Sequence, residues 1–61
     1  MQLQPTTDSL VKGAAKTAVM AAMETGNHKR ARTVIRELAE FFPEYAQALR
    51  LDAIAAYGIA L

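Results

Sequence analysis

The chain has 61 residues, of which 52% are hydrophobic, 21% charged and 7% aromatic, and its formal net charge is +1. That length holds one small domain, and the composition is too apolar for a disordered tail and too poor in Gly and Pro for a linker. A Cys count of zero removes disulfide frameworks, thiolate zinc sites and cysteine nucleophiles together. The near balance of charge points neither toward nor away from nucleic acid as a bulk property.

A core in so short a chain buries about 60% of the surface that the unfolded form exposes, so oligomerisation is the expected source of added stability. Residues 1–5 carry neither a basic n-region nor an apolar h-region, and no secretory signal is expected. The longest polar-free runs, 18–23 and 53–61, fall well short of the roughly 20 residues that a membrane-spanning helix needs. These features predict a soluble, cytoplasmic protein with no membrane partner.

Residues 1–8 read as a flexible polar arm, and 9–61 as a single domain of three helices. Thr6, Thr7, Asp8 and Ser9 each offer a short side-chain oxygen able to accept from the free amides of a first helical turn. The first helix is predicted over 9–25, with Gly13 as its one weak point. Leu10, Ala14, Ala18 and Ala21 define its stripe, Val11, Ala15, Val19, Ala22 and Met23 widen it, and Lys12 and Lys16 mark the solvent side. Gly26 stands where a left-handed residue ends many helices.

Asn27 can cap a second helix over 28–41, whose Ala31, Val34, Ile35, Leu38, Ala39, Phe41 and Phe42 follow the i, i+3, i+4, i+7 template. Pro43 ends it and suits the first turn of a third helix over 44–60. That helix shows one apolar line through Ala46, Leu49, Ala53, Ala56, Tyr57 and Ala60. A second runs through Ala48, Leu51, Ile54, Ala55 and Leu61. The predicted fold class is all-α, an antiparallel helical hairpin plus a third packed helix. Two apolar faces on one helix exceed what a three-helix monomer covers, so a homo-oligomer is expected, with Leu51, Ile54 and Leu61 nearest its interface.

Gly26-Asn27-His28-Lys29-Arg30-Ala31, followed by Pro43, resembles a single tetratricopeptide repeat over about residues 12–50. Gly26, Ala31 and Pro43 stand at the matching positions, and Ala18 and Ala22 match its small first-helix residues. The resemblance implies the hairpin geometry and use in protein binding. The chain departs from the repeat in charge, because His28, Lys29, Arg30 and Arg32 occupy a turn where acidic residues are usual. Cations at the positive end of a helix dipole are unfavourable, and a broken local rule is where function is sought.

Lys29, Arg32 and Arg36 recur at i, i+3 and i+7 as one stripe, roughly opposite the Leu38 face, with His28 and Arg30 beside it. Together with the free amides these five residues form a candidate partner- or anion-binding site. The alternative is a solvated face with Arg36 paired to Glu40. A DNA-reading helix-turn-helix fits poorly, since it would place Arg32 where a buried aliphatic residue belongs. Catalysis finds little support, and a small enzyme subunit is only a third reading: His28 is the one histidine, no nucleophile has a visible base partner, and no cofactor or metal is expected. The expected function is a non-enzymatic protein–protein interaction module, a regulator or adaptor acting as a homo-oligomer. A nucleic-acid-associated regulator using the basic face is the alternative.

Overall fold

The computed structural model describes residues 6–61 as three helices, α1 (Thr7–Glu24), α2 (His28–Ala39) and α3 (Pro43–Tyr57), with no strand among the described residues. Most of the arm expected over 1–8 lies outside the described residues. The helix itself begins at Thr7, two residues earlier than expected, because Thr6 takes the cap: its Oγ1 accepts from the Ser9 amide at 3.1 Å.

The turn between α1 and α2 is closed at both ends by the same few residues. Gly26, at φ +79°, donates to the Met23 carbonyl, and the Asn27 amide reaches back to Ala22 at 2.8 Å. These are the two paired bonds of a Schellman ending. Asn27 then starts the next helix, its Oδ1 accepting from the Arg30 amide at 3.2 Å. With no loop beyond these residues, α2 reverses tightly along α1.

α3 runs back beside α1 in the same direction. Near its start the Tyr45 hydroxyl donates to the Lys12 carbonyl at 3.4 Å, and at its end the Tyr57 hydroxyl donates to the Met20 carbonyl at 3.3 Å. The core between the three helices holds Val19, Ala22, Met23, Ala31, Ile35, Leu38, Ala46, Leu49 and Ala53. Four of these nine are Ala, which brings the helix backbones close and leaves little apolar volume inside.

Several expectations change here. On α1 the buried side chains are Val19, Ala22 and Met23, whereas Leu10, Ala14 and Ala21 turn outward. An Ala-rich helix carries similar small residues at every phase, so its inward face is chosen by what the larger Val19 and Met23 can reach. Lys12 does not mark solvent: its Nζ sits 4.9 Å from the Phe42 ring centroid and 5.4 Å from that of Tyr45. Its methylene stem can lie along the protein while the cation meets two aromatic faces.

Phe41, predicted within the apolar stripe of the second helix, lies past the end of α2 and is 75% exposed. α3 stops at Tyr57 because Gly58 turns left-handed at φ +67°, its amide bonded to the Ile54 carbonyl at 2.7 Å. Ala60 is therefore not helical. The residues after Gly58 instead fold back, so that Ile59 and Leu61 pack against the core.

Candidate functional site

All five residues of the predicted basic site belong to α2, and the structure divides them. His28, Lys29 and Arg30 form the first turn, where no acidic residue balances them. Lys29 and Arg30 are exposed and His28 is half-buried. Arg32 and Arg36 are exposed. They flank buried Ile35 and open onto a cleft of about 300 Å³, lined by Arg32, Ile35, Arg36, Arg50 and Leu61. Lys29 is not among these residues, since seven helical residues carry it about 10 Å along the axis from Arg36.

Arg50, which sequence reasoning did not single out, supplies the α3 side of the cleft. Its Nη1 donates to the Leu61 main-chain oxygen at 3.1 Å. This bond holds the guanidinium against the segment that Gly58 turns back, and Leu61 and Ile35 provide an apolar floor. The readable signal was Gly58 followed by Ile59 and Leu61, since apolar residues just beyond a left-handed Gly commonly return to the helix end. Leu61, expected at a subunit interface, is half-buried and contributes to this cleft.

None of the five lining side chains is acidic and three are cationic, from two helices, with Arg50 already bonded to the Leu61 main-chain oxygen. Arg32 and Arg36 are also an i,i+4 like-charge pair, which costs a helix about 0.2–0.5 kcal/mol at low salt. The arrangement can accept anionic oxygen: each guanidinium offers a planar fork of donors that matches a carboxylate or phosphate.

A second cleft, about 210 Å³, lies between α1 and α2 and is lined by Val11, Ala15, Glu37, Leu38 and Phe41. A third, about 350 Å³, is bounded by Lys12, Phe42, Pro43, Glu44 and Tyr45. On the outer face of α3, Ala48, Leu51 and Ala55 are exposed and Ile54 is half-buried. Leu51 keeps 52% of its surface in solvent.

Among the described residues no charged or polar side chain is buried, and no three His, Asp or Glu residues come together in a metal-holding group. Among the described residues the one clear shift in acidity is at Tyr57, where burial, the Glu24 charge and a hydrogen bond to that carboxylate raise the phenol's pKa above its ordinary value. No described helix is long and apolar enough to cross a membrane. Comparison of the chain with protein-family models, with curated proteins and with solved structures returns no match.

Proposed function

We propose that this chain is a small non-enzymatic protein–protein interaction module, a regulator or adaptor that assembles with itself. The carrying observation is the apolar surface its three helices leave uncovered: Phe41, Leu10, Leu51 and Val11 are all exposed. Burying such side chains against a partner gains about 25 cal/mol per Å² of apolar area, and exposed apolar patches commonly mark protein contacts.

The outer face of α3 suits a second copy. Leu51 projects between two exposed alanines at helical spacing, Ala48 and Ala55, so another helix can approach closely. Leu51 and Ile54 lie nearest this contact, and a two-fold dimer is the commonest assembly that buries one patch against itself. Phe41 and Val11 give a separate apolar surface for a different protein. The resemblance of Gly26, Ala31 and Pro43 to a single tetratricopeptide repeat, which implies use in protein binding, supports the same reading.

Thermal unfolding at a series of protein concentrations tests the reading. Assembly of folded chains predicts a melting temperature that rises with concentration. A melting temperature independent of concentration would overturn the self-assembly.

A further inference from the structure

We propose that the cleft between α2 and α3 is a carboxylate-recognition site for an acidic segment of a partner protein, one in which an apolar side chain sits beside the acid. The proposal rests on the interaction-module reading and adds the chemistry of the partner. Arg32, Arg36 and Arg50 line the cleft together with Ile35 and Leu61, no acidic side chain lines it, and Arg50 alone of the three arginines is engaged, by the Leu61 main-chain oxygen. An occupant that satisfies both features carries negative charge at the rim and an apolar group below.

The held position of Arg50 favours recognition over diffuse attraction. Arg50 is oriented by its 3.1 Å bond to the Leu61 oxygen, which leaves its other donors for a ligand. Arg32 and Arg36 are exposed, stand one helical turn apart, and present forked donors suited to bidentate contact with carboxylate. At about 300 Å³ the cleft has room for one or two side chains. A nucleic-acid backbone fits less well, because a duplex laid along α2 meets exposed Glu37 on the helix and exposed Glu40 at its C-cap, in a chain whose net charge is +1.

The test is fluorescence anisotropy with three labelled probes: a short peptide alternating Glu and Leu, the same peptide with Gln in place of Glu, and a short DNA duplex. The acidic peptide is expected to bind saturably and to weaken as salt is raised. The double variant Arg32→Gln/Arg36→Gln, folded by circular dichroism, should bind it about tenfold more weakly or worse. Arg32→Lys/Arg36→Lys, which keeps the charge and loses the forks, should recover only part of that loss.

Equal binding of the Gln peptide, tighter binding of the duplex, or acidic-peptide binding untouched by the double Gln variant would each overturn the proposal. The two readings fail separately. A chain that self-associates and ignores the acidic peptide refutes the cleft alone. A monomer that binds the peptide through Arg32 and Arg36 refutes the self-assembly alone.

Discussion

The Tyr57 hydroxyl lies 3.3 Å from a carboxylate oxygen of Glu24, so the last residue of α3 is tied to the last residue of α1. The same hydroxyl is 3.3 Å from the Met20 carbonyl, and its single proton serves whichever acceptor is better aligned. Both interactions need the neutral phenol, and burial, the Glu24 charge and the hydrogen bond to that carboxylate raise its pKa above the ordinary value. A raised value in the folded state means that the contribution is fully present below about pH 10 and is lost as pH climbs through the folded value. We expect the urea midpoint of the wild type to fall more steeply above about pH 10 than that of Tyr57→Phe. Parallel pH profiles for the two proteins would show that the phenol proton has no part in joining α3 to α1.

Substitutions at two glycines should act with opposite sign. An added Cβ meets nothing within 4 Å at either Gly13 or Gly26, so any effect comes from the backbone alone. Gly26→Val forces a β-branched residue into φ +79° and should cost about 1 kcal/mol or more. Gly13→Ala lies within α1 and should stabilise by up to about 1 kcal/mol through helix propensity. Denaturant titrations measure both, and an unchanged midpoint for Gly26→Val would rule out the left-handed turn.

α2 was legible in the sequence because Gly26 and Pro43 punctuate it and because Ile35 and Leu38 fix its inward phase. α1 was legible as a helix but not in its orientation. Alanines at 14, 15, 18, 21 and 22 offer no contrast between faces, and only packing against α2 and α3 selects Val19 and Met23. Lys12 was misplaced because a cation reads as solvent-facing until the Phe42 and Tyr45 rings are seen beside it. The α2 half of the arginine cleft could be read from spacing. Its α3 half was missed, since Arg50 meets Leu61 only after Gly58 has turned the chain back, and Gly58 followed by Ile59 and Leu61 was its one sign in the sequence.

The alanines of the core are packing devices, and enlarging one should be costly. Ala53 is fully buried on α3, within the same core as Ala31 and Val19. Ala53→Leu should destabilise by about 1–3 kcal/mol, since added methylenes force the helices apart. Ala55→Leu, on the exposed side of the same helix, should change stability by less than about 0.5 kcal/mol at concentrations where the chain is dissociated. Equal costs at the two positions would mean that α3 is rotated from the orientation described.

Arg50→Met tests the returned segment. Losing the bond to the Leu61 oxygen should loosen residues 58–61 at a cost of about 1 kcal/mol, while α1 and α2 remain paired. Hydrogen exchange would report faster amides at Ile59 and Leu61 with unchanged protection at Ile35. Protection lost throughout the chain would instead give Arg50 a global structural part.

Sedimentation equilibrium on the wild type and on Leu51→Glu is the most direct measurement of whether the apolar surface left by these helices is covered by a second copy. The wild type is expected to sediment as a folded species heavier than the 6.6 kDa chain. Leu51→Glu, which sets a charge at the centre of the proposed contact, is expected to return it to 6.6 kDa with its helices intact. A well-folded wild type at 6.6 kDa, or a Leu51→Glu variant that assembles as the wild type does, would contradict the account.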